Sequence, residues 1–142
     1  MKSLKNFSEV LFKSTLMVLI VAFTFAACKK DHDKNGSSNA AVEGLYVGKY
    51  GFDNADPDTD YKLNFKAGGI LQEIGTNSGA VMGQGTWQVN GNTVTGTYTM
   101  NYSPFNVYSV TGTVNPATKK LTGTWGYDNS TIDGGKMELT RQ

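Results

Sequence analysis

Between Gly85 and Tyr127 the chain repeats one triplet four times: Gly85-Thr86-Trp87, Gly96-Thr97-Tyr98, Gly112-Thr113-Val114 and Gly123-Thr124-Trp125. No other feature restricts the fold as strongly. The triplets alternate apolar or glycine positions with polar ones, the period of two that belongs to a strand, and they fall into two pairs joined by turn signals. Asn90-Gly91 favours a two-residue hairpin turn, which sets Trp87 opposite Val94, Gly85 opposite Gly96 and Thr86 opposite Thr95. In the second pair a Pro116-to-Lys119 loop sets Val114 against Leu121, Gly112 against Gly123 and Val110 against Trp125. Both hairpins then place glycines and large apolar residues on one face, and threonines with Asn, Gln and Lys on the other. A slip of one residue would mix the faces, so the pattern defines antiparallel sheet with one dry and one wet side.

The rest of the chain from Glu43 onward extends this pattern. Strands are expected at Gly44 to Tyr50, Tyr61 to Phe65, Ile70 to Ile74, Val81 to Val89, Asn92 to Met100, Asn106 to Asn115, Lys120 to Tyr127 and Gly135 to Thr140. An Ala67-Gly68 turn between the second and third places Tyr61, Leu63, Phe65, Ile70 and Ile74 on one face. Eight short strands with tight connections make a meander. Pairing the last with the first removes both open edges, so the expected fold is all-β, an eight-stranded antiparallel up-and-down barrel. A two-sheet sandwich is the runner-up. Glycines beside Trp87 and Trp125 on the dry face suit the sharp coiling that closure requires.

Residues 1–42 have a different character. Lys2, Lys5 and Lys13 precede an apolar run from Leu16 to Ala27 that is too short to span a bilayer comfortably. A basic start, a short apolar run and small residues before a break read as a secretory signal, residues 1–27. Cys28 is the one cysteine of the chain, so it has no disulfide partner. Phe25-Ala26-Ala27-Cys28 resembles a bacterial lipobox, which implies a lipidated Cys28 as the mature N-terminus. Residues 28–42, charged and then small and polar, read as a flexible tether to the 43–142 domain. Cys28-Lys29-Lys30-Asp31 resembles the start of lipoproteins of the Bacteroidota. That likeness implies an outer membrane address, with the membrane itself as a partner through the lipid on Cys28.

The 142 residues carry a formal net charge of +1. From Glu43 onward seven Lys/Arg face nine Asp/Glu, a balance of −2. With no basic stripe, no nucleic-acid partner is expected.

The glycine-rich first strand, the Phe-x-x-Gly-Gly turn at Phe65 to Gly69 and the repeated Gly-Thr-Trp triplets together resemble the lipocalin-like and avidin-like calycin barrels. The likeness runs over Glu43 to Gln142. Gly44-Leu45-Tyr46 stands where lipocalins carry Gly-x-Trp, which points toward the avidin-like or general calycin side. The resemblance implies a calycin-like barrel over nearly the whole domain.

The only histidine, His32, lies in the tether, so the domain holds no Ser/His or Cys/His pair for nucleophilic catalysis. Glu43, Glu73 and Glu138 read as outward-facing or terminal, which leaves no paired carboxylates for acid–base work. No catalytic residue, no metal ligand and no cofactor are assigned. The Asp53-to-Asp60 loop offers oxygen ligands at Asp56, Asp58 and Asp60, but Tyr61 and Ala67 stand where a calcium loop of EF-hand type needs Gly and Glu. An acidic turn explains it as well. What remains is the dry face, with Tyr61, Phe65, Trp87, Tyr98, Tyr102, Tyr108, Trp125 and Tyr127. An eight-stranded barrel is just wide enough to fill with side chains or to hold one small ligand. The first function expected is therefore a tethered barrel that binds a small apolar, aromatic or glycan-like ligand, with Trp87, Tyr98, Tyr108, Trp125 and Tyr127 as its walls. The second is a filled barrel acting as a structural or inhibitor-like module on an envelope protein. A cavity well below roughly 300 Å³ favours the second.

Overall fold

The structure, a computed structural model, describes residues 36–142. The signal segment, Cys28 and the first part of the tether lie outside the described residues. A short helix α1 (Gly36–Val42) leads into eight strands: β1 (Gly44–Tyr50), β2 (Thr59–Lys66), β3 (Ile70–Ile74), β4 (Val81–Asn90), β5 (Thr93–Met100), β6 (Val107–Asn115), β7 (Lys120–Tyr127) and β8 (Gly135–Arg141). Each strand pairs antiparallel with the next, and β8 closes on β1 from Tyr46↔Arg141 to Tyr50↔Met137. The sheet is a closed up-and-down barrel with no free edge, and the sandwich is excluded.

The two faces separate as the triplets require. Leu63, Phe65, Val94, Val110, Val114, Leu121, Met137 and Leu139 are buried inside. Outside, Thr93, Thr95, Thr111 and Thr113 pair with one another across β5 and β6, and Thr111 and Thr113 pair again with Thr124 and Thr122 of β7. The β6–β7 register is the expected one, with Val114↔Leu121, Gly112↔Gly123 and Val110↔Trp125.

Three local expectations are corrected. In the β4–β5 hairpin the pairs are Trp87↔Gly96, Val89↔Val94 and Asn90↔Thr93, so the turn residues are Gly91-Asn92 and not Asn90-Gly91. Gly91 takes φ +61° at the first central position, where a Gly-first hairpin turn needs it. The shift is of two residues, so every side chain keeps its face. The β2–β3 connection matters more. It is three residues long, Ala67-Gly68-Gly69, with Lys66↔Ile70 and Phe65↔Leu71, and both glycines have positive φ. One residue more than expected turns β3 over, so Leu71 and Glu73 face inward and Ile70 lies outside. The third correction concerns the tether, whose end is helical. Val42 is buried in the core, and Arg141 Nη1 donates to the Ala41 carbonyl at 2.7 Å. The small residues from 36 on have one apolar side chain to bury after all.

The barrel has two unlike ends. At the end where β1 begins and β8 finishes, α1 lies against β4 on the far side. Tyr46, Phe65 and Trp87 pack edge to face beneath it, with ring centroids 5.3 and 5.5 Å apart. That end is closed. At the other end the strands open into the β1–β2, β3–β4, β5–β6 and β7–β8 loops.

Candidate functional site

The open end holds a cavity of about 200 Å³. Its floor is a hydroxyl pair: the Tyr61 and Tyr98 hydroxyls lie 2.6 Å apart, both rings buried. Gly83 makes room for this floor, because a Cβ there would come within 2.9 Å of the Tyr98 ring. Beside the floor stands Glu73, opposite Leu63 on β2 and Gly83 on β4. Just past Glu73 the β3–β4 register shifts. Ile74 pairs with Val81, and Met82 is the extra residue on β4. Such a bulge bends a strand and re-aims its side chains at a barrel rim.

The walls are rings set against rings. Tyr50 contacts Tyr61 and Trp125 at centroid distances of 5.2 and 5.3 Å, Trp125 meets Tyr127 at 5.4 Å, and Tyr108 lies 5.6 Å from both Tyr98 and Tyr127. Trp125 is the most firmly held. Its indole Nε1 donates to the Gly51 carbonyl at 3.0 Å, and Gly134 lies flat on its six-membered ring, where a Cβ would sit 2.4 Å away. Phe52, Tyr102 and Tyr127 stand about half exposed at the mouth.

Burial governs the titrating groups. Desolvation pushes the Glu73 carboxyl above the usual carboxylate range, offset in part by the Tyr98 hydroxyl beside it. Burial raises Tyr61 and Tyr98 well above an ordinary phenol, and the negative charge of Glu73 adds to both. Tyr50 rises for the same two reasons in the same order.

Of the five wall residues expected from the sequence, Tyr98, Tyr108, Trp125 and Tyr127 come together around this cavity. Trp87 does not. It belongs to the closed end, where its Nε1 donates to the Lys66 carbonyl at 3.0 Å. Glu73, read from the sequence as outward-facing, lies inside, because the three-residue turn inverted its strand. Tyr50, Phe52 and Met100 also line the cavity without having been assigned to it. For Glu73 the missed signal was Gly69. Counting it into the turn sets Phe65 against Leu71, and Glu73 then follows on the inner face.

The acidic loop serves as a surface anchor. Lys49 Nζ contacts Asp60 Oδ1 at 3.1 Å and the Asp58 carbonyl at 2.8 Å. Among the described residues no three His, Cys, Asp or Glu side chains gather as metal ligands. Compared with family models, curated proteins and solved structures, the chain matches none.

Proposed function

We propose that this chain is a lipid-anchored binding module of a bacterial outer membrane, similar to calycin barrels, which holds one small ring-sized ligand in the aromatic cup. The observation that carries the reading is the cup itself. Eight of its ten lining residues are aromatic, yet they surround an open space of about 200 Å³ instead of closing it. The volume lies below the roughly 300 Å³ of common ligand pockets, because the lower half of the barrel is packed solid. It exceeds the ~150 Å³ of an apolar cavity that takes up benzene. The fitting ligand is therefore a single ring or a compact apolar group, lying against Trp125 and Tyr108 with its polar end toward the Tyr61–Tyr98 hydroxyls.

Trp125 reports on occupancy and Trp87 does not, so tryptophan emission of a Trp87→Phe chain should change saturably when the cup fills. A panel of single-ring alcohols, sugars and amines tests this. A flat response to every member, charged and neutral, refutes the binding reading.

One observation favours the second reading, a module that meets a protein. Phe105 and Ile132 are 59% and 76% exposed beside the mouth, and with Phe52 and Tyr102 they give the rim an apolar edge. Envelope cross-linking from position 105 separates the two readings, since a rim-bound protein would be captured whether or not the cup is filled.

The lipid anchor rests on Cys28 alone. Cys28→Ser should move the chain from the membrane fraction to a soluble or unprocessed form. A bacterial lipoprotein cysteine carries several acyl chains, enough for stable anchoring. A fully processed Cys28→Ser chain that stays in the membrane fraction contradicts the anchor.

A further inference from the structure

The cup contains one formal charge and no counter-charge. Glu73 is the only charged residue among those lining the cavity. Among the described residues the single ion pair is Lys49–Asp60, on the outer surface. A partly buried carboxylate without a cation is costly, and among the described residues only the Tyr98 hydroxyl beside it offsets that cost. Gln72 and Ile74 flank it on β3, and Leu63 and Gly83 face it from the neighbouring strands. Around it stand the rings of Tyr50, Tyr98, Tyr108, Trp125 and Tyr127. Rings arranged around a space attract a cation through their quadrupoles, while a carboxylate at the floor repels an anion.

We infer that the ligand of this cup is a small organic cation, a primary or quaternary ammonium on a compact apolar or single-ring body, held among the tyrosine and tryptophan faces with the Glu73 carboxylate as its counter-ion. The inference rests on the reading of the cup as a ligand site and adds the charge of what it takes. The cavity sets the size, since choline or phenethylammonium fits within about 200 Å³ and a longer amphiphile does not. The Tyr61 and Tyr98 hydroxyls accept from an ammonium N–H as readily as from each other. A quaternary head needs only the rings and the carboxylate.

The test uses two pairs of probes matched in shape and differing in charge: phenethylammonium against phenethyl alcohol, and choline against its all-carbon isostere, neohexyl alcohol. Calorimetry on the full chain in a non-ionic detergent should show at least one cation binding about tenfold or more tightly than its neutral partner. In Glu73→Gln that ratio should fall toward one. A second measurement needs no variant. Every other titratable side chain lining the cup is a tyrosine, namely Tyr50, Tyr61, Tyr98, Tyr102, Tyr108 and Tyr127, and beyond it the charge of Asp58 reaches Tyr50. As the pH falls through the raised Glu73 value the cation should lose affinity and the alcohol should not. Equal affinities within both pairs overturn the charge assignment and leave the cup a ligand site. A cation preference that survives Glu73→Gln and is flat with pH overturns the role of Glu73. Failure of all four probes to bind overturns the cup reading together with this inference.

Discussion

Gly123 is the position where the closure of the barrel can be tested with a single methyl group. Gly123 lies opposite Gly112, and a Cβ built on it would stand 2.0 Å from the Thr111 carbonyl oxygen and 2.5 Å from the Gly112 Cα. Both are backbone atoms, so no side-chain rotation relieves the contact. To reach about 3 Å, the strands must part by about 1 Å at this point. That stretch is enough to break ladder hydrogen bonds whose ordinary length is about 2.9 Å. Losing two such bonds costs about 1–3 kcal/mol, in line with the usual cost of overpacking. Alanine returns about 0.4–1 kcal/mol by restricting the unfolded chain. The net for Gly123→Ala is a loss of about 1.3 kcal/mol, or roughly 5–10 °C in Tm for a domain near 100 residues.

Gly112→Ala should cost less. Its Cβ would meet Thr122 O at 2.7 Å and the Leu121 Cδ1 at 2.8 Å, and the leucine can give way. Thr113→Val, on the exposed face between them, should stay within about 0.5 kcal/mol of the parent. Urea melts of the three, with unchanged slopes, decide the order. A Gly123→Ala chain as stable as the parent, or a Thr113→Val chain less stable than it, would mean that β6 and β7 do not approach as described and that the dry face has been assigned the wrong way round.

Other substitutions read separate parts of the barrel. Glu73→Gln should stabilise the chain at neutral pH and leave it unchanged in acid. The folded carboxyl titrates above its ordinary value of 4.5, so the contribution of Glu73 is fully present below that value and is lost as the pH rises through the raised one. Melts at acid and neutral pH check this, and an equal difference at both would refute it. Tyr98→Phe should cost about 1–3 kcal/mol by leaving the Tyr61 hydroxyl of the floor buried and alone, and Tyr61→Phe should cost less, because the Tyr98 hydroxyl keeps the Glu73 carboxyl as a partner. The double variant should recover part of that loss in a double-mutant cycle, and simple additivity would argue against the 2.6 Å pair. The Tyr46 hydroxyl is buried with no hydrogen-bond partner among the described residues. Tyr46→Phe should therefore be neutral or gain about 1 kcal/mol in a thermal melt, and a clear loss would reveal a bond to that oxygen.

The architecture was legible because the sequence states it redundantly. Four triplets, two turns and a strict period of two agree on which face is dry, and a slip of two residues at Asn90 does no harm to that agreement. The same redundancy placed Tyr98, Tyr108, Trp125 and Tyr127 together, since all four sit on the dry face of neighbouring strands. Trp87 shares their face and misses their cavity. Alternation reports which side of a sheet a residue takes but not how far along the barrel axis it lies. That coordinate follows from the stagger of the strands, which no triplet encodes.

Glu73 was illegible for a different reason. In β3 the alternatives are nearly balanced: one face would carry Ile70, Gln72 and Ile74, the other Leu71 and Glu73. Hydrophobicity alone prefers the first, because two isoleucines outweigh one leucine and a carboxylate would be left outside. The turn decides otherwise. Gly68 and Gly69 both take positive φ, so Gly69 is spent in the connection and cannot begin the strand. Phe65 is already fixed inside by Tyr46 and Trp87, and it meets Leu71. A strand chosen for burial alone would not have settled so. The glycine that overrides the apolar preference is thus the residue that puts a charge into the cup. Shortening the turn by removing Gly69 should return Ile70 and Ile74 to the inside, empty the floor of its carboxylate and abolish any preference of the cup for cations.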